Sequence, residues 1–143
     1  MSDERLALIR ENSQRLGVTC VQTILASQLS TTSDQKFDRI LIDAPCSNTG
    51  VLRRRVDLRW RVTPEEVLRL QQSQLDLLRS GAAMLKPGGT LVYSTCSLEP
   101  EENSVVLQRF LEERKEFKLE SERELLPFAD NVDGAFVARL VRA

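Results

Sequence analysis

Two short apolar runs with one strongly signalled helix between them constrain this chain more than anything else in it. FDRILID (Phe37–Asp43) and TLVYST (Thr90–Thr95) each have the length of a buried strand. Between them, Thr63-Pro64-Glu65-Glu66 marks a helix start: a threonine cap, a proline in the first turn and a glutamate three residues after the cap. The spacing of Val67, Leu70, Leu77 and Leu78 predicts one apolar face, and the helix continues to Leu85 until KPGG breaks it. Strands alternating with helices predict an α/β protein with a parallel sheet, in which ligands gather outside the carboxyl ends of the strands.

The flanking segments extend this alternation. Ser2 is placed to cap a helix ending near Leu16, with Leu6, Ile9, Ser13 and Leu16 on one stripe and Gly17 as its stop. VTCVQTIL (Val18–Leu25) reads as a short strand, and the polar SQLSTTSDQ as a loop. Ala44–Arg61 is irregular, with Pro45 and Gly50 as punctuation. A further helix is expected over Pro100–Arg114, and strands at 117–120 and 135–141. The mixed charges of residues 112–124 read as a solvated face.

Composition narrows the chemistry. With 143 residues the chain is one domain by size, and 20 basic against 21 acidic residues leave almost no net charge. No apolar run nears the ~18 residues needed to span a bilayer, so a soluble, cytoplasmic protein without membrane contact is expected. Three cysteines without a CxxC pair argue against a zinc ribbon or a disulfide scaffold. The absence of histidine removes Ser-His-Asp and Cys-His catalysis, and no metal site is expected.

What remains is thiols, carboxylates, amines or a cofactor. Cys46 and Cys96 each follow a strand-like run, in ILIDAPCSNTG and LVYSTCSLEPEEN, and adjacent parallel strands would turn both toward one crevice. Cys96 precedes the expected helix start at Pro100, where the positive end of the dipole favours an anion. Cys20, inside a strand pattern, reads as a small buried hydrophobe. RRRVDLRWR (Arg53–Arg61) places five arginines and a tryptophan in nine residues, able to hold phosphates and stack on a base. Such a run equally describes a solvated face.

DAPCSNTG followed by YSTCSLEPEEN resembles the RNA cytosine-C5 methyltransferases of the RsmB/Sun type. RLALIRENSQRLG, FDRILID, QQSQLDLL, LKPGG and the terminal DGAFVARLVRA support the resemblance over nearly the whole chain. It implies a Rossmann-like class I methyltransferase sheet of order 3-2-1-4-5-7-6, and S-adenosylmethionine as methyl donor. It implies RNA, small-subunit ribosomal RNA in particular, as the partner. In that family the cysteine of the TCS motif, here Cys96, attacks carbon 6 of a flipped cytosine. The cysteine of the APC motif, here Cys46, serves product release. Asp43 meets the base and lies close to the cofactor, and Arg53, Arg54 and Arg55 are the RNA-binding candidates.

The match also has gaps. The family's glycine-rich cofactor loop and the acid that binds the ribose belong upstream of Met1, as does the RNA-binding domain of the RsmB branch. Residues 1–143 are therefore expected to form the C-terminal portion of a methyltransferase domain, with strands 1 and 2 missing and strands 3 to 7 present. A third acidic position, toward the adenine, falls on Ala26, and Ala135 stands where phenylalanine is common. Val18–Leu25 would then pair abnormally with Phe37–Asp43 or with another chain, so the incomplete sheet leaves room for dimerisation. Such a fragment is expected to be inactive alone. Two other readings remain open: a non-catalytic RNA-binding module derived from such an enzyme, and a tRNA-directed member of the family.

Overall fold

The computed structural model describes residues 3–25, 28 and 36–143, which fall into two units, Met1–Asp34 and Gln35–Ala143. In the first unit, α1 (Asp3–Arg15) carries acidic residues in its first turn and an arginine in its last, matching the dipole at both ends. Gly17 adopts a φ of 67°, and the Val18 amide returns to the Ser13 carbonyl at 2.8 Å, closing the helix. Of the predicted stripe, only Leu6 is buried; Ile9 and Leu16 are exposed. Ser2 and Ala26, named above as cap and as adenine-facing position, lie outside the described residues.

Val18–Leu25 forms no strand, so the expectation of strands 3 to 7 is corrected to the last four. Alternating apolar residues become a strand only where a neighbour satisfies the backbone, and residues 18–25 belong to no ladder. Cys20 is accordingly exposed rather than buried.

The second unit is a sheet of four strands: β1 (Phe37–Asp43), β2 (Leu85–Thr95), β3 (Phe117–Leu125) and β4 (Ala135–Arg142), in the order β1-β2-β4-β3. β1 and β2 are parallel, and the other two pairings are antiparallel. This order is the 4-5-7-6 portion of the expected sheet. β2 begins earlier than read, at Leu85. Its pairing with β1 jumps from Phe37–Leu85 to Arg39–Thr90, so the KPGG residues bulge out within the strand, with Gly88 at a φ of 73°.

The connection from β1 to β2 runs through α2 (Pro64–Met84), whose start matches the sequence signal: the Glu66 amide donates to Thr63 Oγ1 at 3.3 Å. Its buried face is Val67, Leu70, Leu75, Leu78 and Ala82, whereas Leu77 is exposed. After β2 a 3-10 turn (Pro100–Glu102) precedes α3 (Ser104–Glu113), so the single helix expected over Pro100–Arg114 is divided. A short helix, α4 (Pro127–Asp130), links β3 to β4.

The core lies between α2, α3 and one face of the sheet. Leu91 and Tyr93 of β2, Phe136, Ala138 and Leu140 of β4, and Leu78, Leu107 and Phe110 from the helices are buried there. Phe110 meets Phe117 edge to face, with ring centroids 5.2 Å apart. The opposite face carries Leu41, Val137 and Arg139 and is open. β1, read as a buried strand, buries only Ile42, because in the described sheet it has one neighbour and one free edge. β3 is the other edge, and Lys118–Glu124, five of whose seven residues are charged, is exposed, which blunts that edge against further pairing.

Leu78 has no solvent exposure and sits in the middle of the helix–sheet layer. Leu78→Ala should cost about 2–5 kcal/mol of stability, measured as a lowered midpoint in urea unfolding with an unchanged slope.

Candidate active site

The parallel register sets Asp43 beside Ser94, and the Ala44 amide makes the last ladder bond to the Ser94 carbonyl at 2.9 Å. The two chains then leave the sheet at the same end, each reaching its cysteine within three residues. The sulfurs of Cys46 and Cys96 come to 3.3 Å. Cys96 Sγ donates to Asn48 Oδ1 at 2.9 Å, and Asn48 Nδ2 donates to the Cys46 carbonyl at 2.7 Å. Because the Cys96 proton is directed at Asn48, the S–H between the two sulfurs belongs to Cys46.

The serine after each cysteine fixes this arrangement. Glu102, fully buried, accepts the Ser47 amide at 2.9 Å and Gln74 Nε2 at 3.0 Å on Oε1. On Oε2 it accepts the hydroxyls of Ser47 and, at 2.5 Å, Ser97. Gln74 also reaches the Pro45 carbonyl at 2.9 Å, and the Tyr93 hydroxyl donates to the Glu102 carbonyl at 2.7 Å. Thr95 and Asn103 close the same turn, with Thr95 Oγ1 donating to Asn103 Oδ1 at 2.7 Å and Asn103 Nδ2 to the Ser97 carbonyl at 2.9 Å. A third connection is backbone only. Gly50 donates to the Cys96 carbonyl at 3.0 Å, and Gly134 donates to the Gly50 carbonyl at 2.8 Å. A Cβ on Gly50 would lie 2.3 Å from the Gly134 carbonyl oxygen, so no larger residue fits.

Burial, then the hydrogen bond with Cys96, pushes the Cys46 thiol from its ordinary 9.0 up to about 12. Burial and the nearby Glu102 carboxylate likewise push the Tyr93 hydroxyl up, so it stays a donor. The α3 dipole does not reach Cys96 as expected from the sequence: the 3-10 turn intervenes, and α3 starts only at Ser104. The side chains bonded to the Cys96 sulfur, among the described residues, are Asn48 and Cys46.

Asp43 is exposed at the end of β1, on the open face, where Ser94 Oγ donates to it at 3.3 Å. Arg53 and Arg54 both pair with Asp133, at 2.6 and 2.8 Å. Those bonds, Arg53's first, hold the Asp133 carboxyl below its usual range. Arg55 makes no ion pair among the described residues, and Trp60 is 86% exposed between Arg59 and Arg61. Cys46, Asn48, Leu58, Arg61, Thr63 and Glu66 border a cleft of about 390 Å³. Asn48, Glu102 and the Ser47–Ser97 pair escape sequence reasoning as site residues. The one hint is the repeated Cys-Ser dipeptide.

A parallel strand pair with paired thiols at its carboxyl end, in a 4-5-7-6 strand order, defines a piece of a class I methyltransferase sheet. Residues 1–141 match the family described as 16S rRNA methyltransferase RsmB/F, and the chain belongs to that family of S-adenosylmethionine-dependent enzymes. The ribosomal RNA small subunit methyltransferase B of Salmonella arizonae is 38% identical over 151 residues, covering 99% of this chain and 35% of that protein. Among solved structures, NSun6 from Pyrococcus horikoshii with SFG has a TM-score of 0.85 and 30% identity, covering 99% of this chain and 39% of that one. A methyltransferase homologue from the same organism has a TM-score of 0.81 and 32% identity, with 99% and 51% covered. This chain therefore spans about a third of the length of its curated relatives.

The raised Cys46 value fixes the sign of a pH effect. Its contribution to stability is fully present below pH 9 and is lost as pH rises toward 12, because the unfolded chain gives up a proton that the fold retains. Chemical denaturation between pH 8 and 11 should therefore show declining stability, and Cys46→Ser should flatten part of the decline.

Proposed function

We propose that these residues carry the thiol and base-binding part of an enzyme that methylates carbon 5 of cytosine in RNA, small-subunit ribosomal RNA being the substrate, in the cytoplasm. The observation that carries this reading is the pair of sulfurs 3.3 Å apart at the carboxyl ends of adjacent parallel strands. One thiol is kept protonated beside the other, which suits a pair with two roles.

In this reading the cytosine is extruded from the RNA at a cost of a few kcal/mol. Arg55, with Trp60 and the neighbouring arginines, contributes phosphate and stacking contacts that offset it. Asp43 holds the base: its exposed carboxylate keeps lone pairs free beyond the Ser94 bond, which fits an amino donor on the Watson–Crick edge or on the cofactor. The Cys96 thiolate adds to carbon 6, and the electron pair released makes carbon 5 nucleophilic. S-adenosylmethionine, when bound, supplies the electrophilic methyl group. A base then removes the carbon 5 proton, the double bond re-forms, and the Cys96 thiolate leaves; Cys46 serves that last stage. No residue here matches the family's glycine-rich cofactor loop, and Asp43 is the single cofactor contact the reading assigns. Catalysis by these 143 residues alone is accordingly expected to be absent. Among the described residues the outer edge of β1 pairs with no strand, and it is the edge through which the sheet is completed, by further strands or by a second copy.

The test uses RNA containing 5-azacytidine, whose electron-poor carbon 6 takes up a thiol without methyl transfer, and native mass spectrometry reads the adduct. A covalent adduct is expected with the wild type. It should be lost with Cys96→Ser and retained with Cys46→Ser. An adduct on Cys46 would overturn the assignment. Salt-sensitive RNA binding lost on Arg55→Ala, with no adduct under any condition, would favour the non-catalytic module. Calorimetric titration with S-adenosylmethionine should give no saturable binding up to millimolar ligand; saturation would show that the chain forms a cofactor site unaided.

A further inference from the structure

Asn48 sits in the left-handed region, at a φ of 62° and a ψ of 27°, in the loop between the Cys46–Ser47 anchor and Gly50. Glycine fits that backbone at no cost, and asparagine is among the few other residues that tolerate it. What the asparagine adds over glycine is a carboxamide, and both of its ends are used. Nδ2 donates to the Cys46 carbonyl at 2.7 Å, and Oδ1 faces Cys96 Sγ at 2.9 Å.

The orientation of the amide is fixed by its partners. A carbonyl oxygen cannot donate, so the NH2 end must face Cys46 and the oxygen must face the sulfur. An amide oxygen is satisfied there by a protonated thiol and opposed by a thiolate. Other charged or titratable groups around Cys96 act less directly. The Cys46 thiol lies 3.3 Å away as a donor, and the Glu102 carboxylate is reached only through Ser97 Oγ. Asp43 is exposed at the end of β1, and Arg61 and Glu66 border the cleft that Asn48 and Cys46 also line.

We infer that Asn48 is a positioning residue that latches the Cys96 thiol in a protonated resting state, a bond that must open before the sulfur can attack. The latch rests on the proposed role of Cys96 as nucleophile, but its test needs neither RNA nor cofactor, so the two ideas fail separately.

The intact chain is alkylated with iodoacetamide between pH 6 and 10, and each cysteine is followed by peptide mass spectrometry. Exposed Cys20 serves as internal reference. Asn48→Gly keeps the left-handed backbone while removing the amide. It should raise the Cys96-to-Cys20 rate ratio at neutral pH about three- to tenfold, the range of one ordinary hydrogen bond. Asn48→Asp keeps an acceptor but adds like charge beside the sulfur, and should lower the ratio below that of wild type. Mere loosening of the loop would raise Cys46 and Cys96 together, whereas the latch moves Cys96 alone. A ratio within twofold of wild type in Asn48→Gly, a joint rise of both thiols, or a raised ratio in Asn48→Asp would each overturn the inference.

Discussion

The buried carboxylate of Glu102 is the contact on which the site end of the sheet depends. It takes the amide of one cysteine loop, the hydroxyls of both, and the side chain of Gln74 from α2. A carboxylate removed from water is tolerated only when its lone pairs are met, and here four donors converge on two oxygens. Serving it therefore requires the loops after β1 and β2 and the middle of α2 to be in place together. The cost of burying Glu102 is what makes the geometry cooperative. If any one partner moved, the remaining donors would not satisfy it.

A second, backbone-level contact extends the same logic to the basic loop. Gly50 and Gly134 pack so closely that a side chain on either would strike the other's backbone. Asp133 precedes Gly134, so seating that glycine delivers a carboxylate to Arg53 and Arg54. Two of the five arginines in the run are thereby held in shape by an exposed pair whose own contribution to stability is small. Arg55, Arg59 and Trp60 remain exposed.

The helix α2 and the strands around it were legible because their signals are local. The threonine cap, the proline and the glutamates of Thr63–Glu66 act within one turn, and the starts of β3 and β4 at Phe117 and Ala135 fall where the apolar runs begin. β3 runs on to Leu125 through residues read as a solvated face; both are true, since an edge strand can be solvated along its length. The misreadings are non-local. Val18–Leu25 has strand-like residues but no ladder to join, and apolar alternation carries no information about partners. On α2, Leu75 rather than Leu77 is buried, because Gln71 and Gln74 occupy inward positions and break the apolar count. Asn48 and Cys96, like Ser47 and Glu102, are some fifty residues apart, joined only by the parallel register.

Paired thiols also address how proton transfer can run without histidine. Two sulfurs 3.3 Å apart do not both carry charge, and burial holds the proton on Cys46. On the proposed reading, bonding of Cys96 to carbon 6 turns it into a neutral thioether. The Cys96 contribution to holding the Cys46 proton is then weakened, while burial, its first cause, remains. Cys46 becomes easier to ionise at the stage when the carbon 5 proton must leave. On that reading, adduct formation at one sulfur prepares the other.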